Sequence, residues 1–215
     1  MSTLPVIAID GPTASGKGTL ARRIAAALGF AHLDTGTLYR AVGLAVLKRG
    51  NDPADPDAAT QAVQALDLSL LEDPLLRSAE TGVAASKVAA IPAVREALFA
   101  FQRNFAANPP GGKGAVLDGR DIGTVICPGA GVKLFVTATP EIRAARRHAE
   151  FQAQGSTRTK EEVLADILSR DARDMGRAIA PLRAAPDAHL LDTSHLDIET
   201  AVARALEIIR AGMRT

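Results

Sequence analysis

The stretch PVIAIDGPTASGKGTLARRIAAALG, residues 5–29, decides the fold because it joins a short apolar run, a glycine-rich loop and a helical pattern in that order. A loop of the form G-x-x-x-x-G-K between a strand and a helix wraps phosphate groups. Gly11, Gly16 and Gly18 allow the close backbone approach that such a loop needs, and Lys17 adds a compact positive charge. A glycine-rich turn that only connects a strand to a helix is the alternative. Lys17 in register favours a loop whose amide groups face a nucleotide.

The hydroxyl residue of this loop comes one position late. The usual pattern places Ser or Thr directly after the lysine, whereas here Gly18 follows Lys17 and Thr19 comes next. This G-K-G-T form resembles the loop of adenylate-kinase-like nucleoside monophosphate kinases, although Pro12 comes one position earlier here. The resemblance implies a magnesium ion that is held mainly by water and by the nucleotide phosphates, with Thr19 as the nearest protein hydroxyl. The late hydroxyl therefore indicates a distinct class of phosphate loop rather than a chance match.

The rest of the chain alternates short apolar runs with helical patterns. The apolar runs show little alternation, as is typical of strands buried on both faces, and cover residues 5–10, 30–34, 115–118, 132–137 and 188–192. Helical spacing predicts helices over residues 17–28, 36–48, 57–66, 79–90, 93–107, 140–154, 160–173 and 198–211. This order predicts an α/β fold with a five-stranded parallel sheet, and ligands bind beyond the carboxyl ends of such strands.

Composition limits the possible partners and location. The 215 residues suit one domain, and a net charge of +1 gives no reason to expect a nucleic-acid or membrane partner. The single cysteine, Cys127, suits a reducing compartment, and residues 1–10 lack the pattern of a signal peptide, so we expect a cytoplasmic protein. The chain has 19 Arg against 6 Lys. Arginine grips phosphate at two points, although a GC-rich coding sequence explains the bias equally well.

The segment HLDTGTLYR, residues 32–40, follows the second predicted strand. Thr35 and Thr37 offer hydroxyl groups, Tyr39 offers a ring and a phenol, and Arg40 offers a phosphate-binding fork. The alternative is that residues 34–36 simply cap the N-terminus of the following helix.

The segment AVLDGRDIGT, residues 115–124, is a predicted strand that ends in two acids and an arginine. Asp118 lies where a carboxylate beside a phosphate loop acts on magnesium or on its water molecules. The alternative is a tight turn stabilised by a local Asp–Arg pair.

Arginines also recur in the last third of the chain. Arg143 and Arg147 are four residues apart on one predicted helix face, and Arg170 and Arg177 belong to a second basic helix end. Arg143 and Arg147 are candidates for clamping ATP phosphates when a lid closes. A solvated helix with local ion pairs is the alternative.

Five segments together resemble bacterial cytidylate kinases nearly from end to end: IAIDGPTASGKGT, LDTGTLYR, SKVAAIPAVREAL, LDGRDIGTV and RDARDMGRAIAPLRAAPDAHLLDTS. The resemblance implies phosphorylation of CMP and dCMP by ATP with Mg²⁺. It implies a three-layer P-loop kinase fold in one domain, residues 1–215, with a mostly helical NMP-binding insert over about 35–107 and a short lid over about 143–177. We expect a monomer.

The resemblance assigns roles by position. The predicted ATP-binding residues are Gly11, Pro12, Thr13, Ala14, Ser15, Gly16, Lys17, Gly18 and Thr19. The predicted CMP-binding residues are Ser86, Arg95 and Asp121 for cytosine, Thr35, Asp174 and Arg177 for the sugar and phosphate, Arg40 and Arg120 for the phosphate, and Tyr39 without a more specific role. The predicted catalytic residues are Lys17, Arg120, Arg143, Arg147 and Arg170. The predicted magnesium residues, acting through water, are Thr19 and Asp118.

The chain departs from the family at residues 67–80, where a shorter segment replaces a small β-rich insertion. That leaves open whether the insert contains strands and how it closes. An adenylate or shikimate kinase is the nearest alternative, but Arg95 and Asp121 suit the polar edge of cytosine. A GTP-binding switch protein would need an N-K-x-D motif, and the Thr159-Lys160 pair followed by two glutamates does not fit. The net charge disfavours a nucleic-acid-binding ATPase.

Overall fold

A five-stranded parallel sheet lies at the centre of the computed structural model, which describes residues 4–153 and 155–213. The strand order across the sheet is β2-β3-β1-β4-β5, and every pair of neighbours is parallel. This confirms the predicted sheet. The strands are β1 Val6–Asp10, β2 Ala31–Asp34, β3 Ala115–Gly119, β4 Val132–Thr137 and β5 His189–Asp192.

Helices cover both faces of the sheet. They are α1 Lys17–Leu28, α2 Thr35–Lys48, α3 Pro56–Gln64, α4 Ala79–Val88, α5 Pro92–Ala107, α6 Pro140–Ala153, α7 Lys160–Met175 and α8 Ile198–Gly212. Side chains alternate along β1, so that Ile7 and Ile9 pack with α1 and α8 while Ala8 packs with α5 on the other face. The fold therefore has three layers, as predicted. None of the helices in the described residues has the length and apolar character needed to cross a bilayer.

The prediction that the strands are buried on both faces is confirmed for the inner strands and is wrong for the two edge strands. Every residue of β3 is buried, whereas β2 is half-buried throughout and β5 is mostly exposed. Leu190 of β5 is 68% exposed. An edge strand has a neighbour on one side only, so its apolar residues are not all covered, and an apolar run alone does not reveal that position.

The insert between β2 and β3 is entirely helical. Helices α2 to α5 share one apolar cluster, and short 3₁₀ turns at Leu68–Glu72 and Pro74–Arg77 join α3 to α4. No strand occurs between residues 35 and 107, all of which the structure describes. The shortened segment 67–80 therefore forms 3₁₀ turns, each started by an aspartate that accepts backbone N–H groups.

Replacement of Gly43 by valine is expected to destabilise this insert. A Cβ atom on Gly43 would lie 2.9 Å from the backbone nitrogen of Ala85 and 3.0 Å from Cβ of Ala84, so α2 and α4 would have to separate. Overpacking of this kind costs about 1–3 kcal/mol in the free energy of unfolding. Urea unfolding would measure it against Gly129→Val, since a Cβ at Gly129 meets nothing within 4 Å. Equal stability of the two variants would contradict the close packing of α2 and α4.

Candidate active site

A cavity of about 230 Å³ lies at the carboxyl ends of the strands, between the phosphate loop, the helical insert and helices α6 and α7. This is the position at which parallel α/β sheets bind ligands. Strand ends bring Asp34 and Asp118 to its floor, and the insert and α7 supply its walls. The location predicted from the sequence therefore contains a cavity.

The loop between β1 and α1 has the backbone geometry of a phosphate cradle. A Cβ atom on Gly11 would lie 2.0 Å from the carbonyl oxygen of Val136, so no side chain fits there. Gly16 has a positive φ of 86° at the N-cap of α1, a conformation that glycine adopts without strain. Helix α1 then begins at Lys17, and its N-terminus opens toward the cavity lined by Gly16, Lys17, Gly18 and Thr19.

Lys17 is buried at this helix start. Its Nζ donates a hydrogen bond to the carbonyl of Pro12 at 3.1 Å, across the loop. Burial, and then the nearby charge of Arg120, lower the pKa of Lys17 to about 7. A triphosphate is the kind of group that compensates such a buried cation, since it restores opposite charge at the ammonium group.

The carboxylates of Asp34 and Asp118 and the hydroxyl of Thr35 lie beside the phosphate loop. Nε2 of His32 is 2.7 Å from Oδ1 of Asp118, and Thr35 donates from Oγ1 to the backbone carbonyl of Asp118 at 2.8 Å. Burial, and then the charge of Asp118, raise the pKa of Asp34. Asp118 and Thr19 both line the cavity, which gives oxygen ligands of the kind that Mg²⁺ prefers. In the described residues no cluster of three or more His, Cys, Asp or Glu side chains could hold a metal.

The wall formed by the insert carries a buried ion pair. Nη2 of Arg95 on α5 donates to Oδ2 of Asp121 just after β3, and Nη1 donates to the carbonyl of Ala89 at 3.4 Å. The guanidinium carbon of Arg95 lies 5.8 Å from the centre of the Tyr39 ring. A flat donor group, a carboxylate and an aromatic ring in contact suit a planar, polar base.

Asp174 on α7 connects this helix to the end of β3 and to the helical insert. It accepts hydrogen bonds from Nε of Arg120 at 2.9 Å, from Oγ of Ser86 at 3.3 Å and from Nη2 of Arg177. Burial opposes ionisation of Asp174, but the charges of Arg120 and Arg177 lower its pKa overall. One carboxylate therefore holds three segments that the sequence separates widely.

Further arginines converge on the same cavity. Arg40 on α2 donates to the carbonyl of Leu76 at 2.8 Å, and Nε of Arg170 on α7 is buried without a hydrogen-bond partner. Burial, followed by the positive charges of Arg120 and Arg40, lowers the pKa of Arg170. Arg147 lies with its guanidinium carbon 4.4 Å from the centre of the Phe151 ring. The positive charges of these arginines repel one another, and a bound polyanion would relieve that repulsion. The cluster is therefore suited to binding a polyanion.

Arg143 is placed differently. It is 3% exposed, pairs with Asp171 at 2.6 Å, and donates to the carbonyl of Thr13 in the phosphate loop at 3.2 Å. It does not line the cavity. The interpretation of α6 as a solvated helix with local ion pairs is therefore wrong for Arg143, whereas Arg147 does form a local pair with Glu150.

Purely local contacts explain neither the turn after β2 nor the turn after β3. Asp34 stands at the N-cap of α2 but makes no side-chain capping bond, so residues 34–36 are not a simple side-chain cap. The acids and the arginine after β3 do not pair with one another, since Arg120 binds Asp174 and Asp121 binds Arg95. Both turns therefore direct their polar side chains to distant segments of the chain or toward the cavity.

The structure brings nearly all predicted site residues together. Those that line the cavity are Thr13, Ala14, Gly16, Lys17, Gly18, Thr19, Thr35, Tyr39, Arg40, Ser86, Arg95, Asp118, Arg120, Asp121, Arg147, Arg170, Asp174 and Arg177. Gly11, Pro12 and Ser15 form the loop behind this lining. Sequence reasoning missed Arg22, Arg77 and Glu150, which also line it. A signal existed for Arg22 alone, which lies three residues after Thr19 and donates to its hydroxyl.

Comparison with known proteins yields one family. A family model described as Cytidylate kinase matches residues 7–211. The chain is 57% identical over 206 residues to the cytidylate kinase of Bradyrhizobium sp. (strain ORS 278), covering 96% of each chain. It is 58% identical over 205 residues to that of Rhodospirillum rubrum, covering 95% of this chain and 96% of the relative.

Two solved structures with a similar fold are much more distant in sequence than these relatives. A shikimate kinase from Bacteroides thetaiotaomicron matches with a TM-score of 0.50 at 15% identity, over 96% of this chain and 98% of that one. A sugar kinase from Janibacter sp. HTCC2649 matches with a TM-score of 0.50 at 15% identity, over 96% of this chain and 95% of that one. These similarities bear on the fold alone.

Proposed function

Since the chain belongs to the cytidylate kinase family, we propose that it is a phosphotransferase that moves the γ-phosphoryl group of ATP to the phosphate of CMP and dCMP. The observation that carries this proposal is the cavity in which a phosphate loop with Lys17 faces the Arg95–Asp121 pair. Phosphoryl transfer needs positioned phosphates and neutralised charge more than covalent chemistry, and the cavity offers both.

In this proposal ATP occupies the phosphate loop. The backbone N–H groups at the start of α1 bind the phosphates, and Lys17 neutralises charge on the transferred group. Thr19 and Asp118 fit a magnesium ion, because each offers an oxygen and the ion keeps most of its ligands from phosphate and water. When bound, magnesium supplies further charge neutralisation. A proton acceptor is not needed, since the CMP phosphate is already largely ionised at neutral pH.

The acceptor binds on the side of the insert. Arg95, Asp121 and Ser86 read the cytosine edge, and Tyr39 packs beside it. The remaining acceptor residues hold the sugar and phosphate, namely Thr35, Arg40, Arg120, Asp174 and Arg177. The phosphate oxygen of CMP then attacks the γ-phosphorus of ATP in line, with Arg120, Arg147 and Arg170 stabilising charge on the transferred group.

The proposed insert, residues about 35–107, and the proposed lid, residues about 143–177, are joined by hydrogen bonds. Nη2 of Arg147 donates to the carbonyl of Arg77 at 3.4 Å, and Nε of Arg173 donates to Oγ of Ser86 at 3.3 Å. We propose that these regions close over the substrates and exclude water. A direct role for Arg143 in catalysis would require it to leave Asp171. Monomeric state and cytoplasmic location stay predictions from the sequence.

Acceptor choice tests the proposal. ADP production from ATP and Mg²⁺ is measured separately with CMP, dCMP, UMP, AMP, GMP and shikimate, and a sample with excess EDTA serves as the control. CMP and dCMP are expected to be the best acceptors, because Arg95 and Asp121 match the polar edge of cytosine, and EDTA is expected to stop the reaction. If AMP, GMP or shikimate gives the highest kcat/KM, the cytidylate assignment fails and only the kinase class remains.

A further inference from the structure

Asp10 ends β1 and directly precedes Gly11, the first residue of the phosphate loop, yet its side chain points to another segment. It is 4% exposed. Oδ1 accepts the backbone N–H of Ile122 at 2.7 Å, and Oδ2 accepts the backbone N–H of Gly123 at 2.7 Å. One carboxylate at the base of the donor loop thus holds two successive peptide groups 112 and 113 residues away in sequence.

Those two N–H groups begin the π-helical turn Ile122–Ile126. The first N–H groups of a helical turn have no partner within the turn, so Asp10 supplies what the turn itself lacks. The same turn is closed by N–H groups of Val125 and Ile126, which bond to the carbonyl of Asp121 at 2.9 and 3.1 Å. The backbone on the C-terminal side of Asp121 is therefore fixed by Asp10, and with it the direction of the Asp121 side chain.

The turn has little freedom to adjust by other means. A Cβ atom on Gly123 would lie 3.1 Å from Cδ of Lys133 and 3.4 Å from Oδ2 of Asp10. Lys133 is itself held by Asp187 at 3.0 and 2.8 Å. The turn is thus enclosed between β1 and the Lys133 side chain of β4, with Asp10 as its charged anchor.

The charge state of Asp10 sets how many bonds it can accept. Burial raises its pKa to about 6, against the opposing effect of the two N–H groups. The other ionisable groups near it are Asp121 and Arg120 after β3, Cys127 at the end of the turn, and Lys133 on β4. At neutral pH both oxygens are acceptors, whereas below about pH 6 a proton occupies one of them and one bond is lost.

We propose that Asp10 is a positioning residue for the acceptor nucleotide: its carboxylate fixes the turn that aims Asp121 at the base, and so sets the acceptor site in register with the donor loop. Both of its bonds go to the turn, so the effect falls on the acceptor rather than on ATP. The inference rests on the proposed function, in which Asp121 reads cytosine.

The test is Asp10→Asn. The amide has the same shape, but only its oxygen accepts, and its NH₂ group faces a backbone N–H. Loss of one hydrogen bond to a charged group is expected to raise the KM for CMP about tenfold at neutral pH and to leave the KM for ATP unchanged. The matched control is Asp192→Asn at the end of β5, an exposed carboxylate that accepts the N–H of Ser194 at 2.8 Å. Its KM values are expected to equal those of the wild type.

The pH dependence separates positioning from a general loss of structure. The folded pKa of Asp10 is raised, so the ionised form, and the bonds that it makes, are complete only above about pH 6. The ratio of the KM for CMP in Asp10→Asn to that in the wild type is therefore expected to fall toward one between about pH 7.5 and about pH 5. Titration of the CMP phosphate affects both proteins equally and cancels. A ratio that does not change with pH, or an equal rise in the KM for ATP, would overturn the proposal.

A second measurement needs only the wild type, in case Asp10→Asn does not fold. Amide hydrogen exchange at Ile122 and Gly123, corrected for the intrinsic effect of pH, is expected to accelerate below about pH 6. Saturating CMP is expected to slow it, because acceptor binding and the ordered turn favour each other reciprocally. Saturating ATP is expected not to slow it. No response to CMP contradicts the role of Asp10. A wild type that does not phosphorylate CMP overturns the proposed function as well, so the two failures are distinguishable.

Discussion

Lys17→Ala is expected to lower kcat for CMP phosphorylation about a thousandfold, equivalent to about 4 kcal/mol of transition-state stabilisation. The side chain is the one lysine lining the described cavity, at the start of α1, and no other ammonium group there can replace it. Single-turnover kinetics with saturating ATP and CMP would measure the loss, because they report the transfer step apart from product release.

The Lys17→Ala protein is expected to remain folded. Burial depresses the pKa of Lys17, which means that its charge opposes folding rather than supporting it. The neighbouring core of Ile7, Leu20 and Ile24 is untouched by the change. Lys113→Ala, in the exposed loop after α5, is the matched control and should leave kcat unchanged. A folded Lys17→Ala protein with turnover close to the wild type would remove Lys17 from the mechanism.

Arg120→Met is expected to reduce kcat/KM for CMP by between about a hundredfold and a thousandfold. Arg120 donates a hydrogen bond to Asp174, and its charge acts on Lys17. Its loss removes a half-buried positive charge from the point where the proposed donor and acceptor phosphates meet. Methionine keeps the apolar stem of the side chain, so the packing is largely preserved. Asp174 keeps Arg177 and Ser86 as partners, and the variant should therefore fold.

Two further variants make the Arg120 prediction specific. Arg120→Lys is expected to recover part of the activity, since lysine restores the charge but not the planar fork. Arg210→Met, on the exposed surface of α8, controls for loss of an arginine as such. If Arg120→Lys matches the wild type, charge alone suffices. If Arg120→Met also matches it in steady-state assays with CMP, Arg120 does not contact the reacting phosphates.

Much of the fold could be predicted from the sequence because the local patterns that mark strands, loops and helix starts agree with the elements of the folded chain. The glycine loop marks β1 and α1 together, and Thr159 and Glu162 have the spacing of a capping box and form one at the start of α7. The direction of parallel strands also explains why residues after β1, β2 and β3 meet in one cavity. The exposure of β2 and β5 was missed because position within a sheet depends on the order of strands, which no single strand encodes.

The long-range pairing of charges could not be predicted. Asp121 binds Arg95, 26 residues away, and Asp174 binds Arg120, 54 residues away, although each acid has arginines closer in sequence. Such pairs depend on where α5 and α7 lie relative to the end of β3. The same holds for Asp10, whose partners are backbone groups and carry no mark in the sequence. Arg77 joins the cavity only because two 3₁₀ turns bring it there.

The exposure of β5 has a consequence for how the protein behaves at high concentration. In the described part of the chain β5 pairs with β4 alone, so its outer backbone groups are available to a strand from another molecule. Leu190 adds an apolar contact on that rim, but the strand has four residues and ends in Asp192. A strand of this length can form only a few hydrogen bonds with a strand of another molecule. The negative charge of its last residue also repels the same residue of a second copy aligned in register. The short length of β5 therefore limits association of the protein through this unpaired sheet edge.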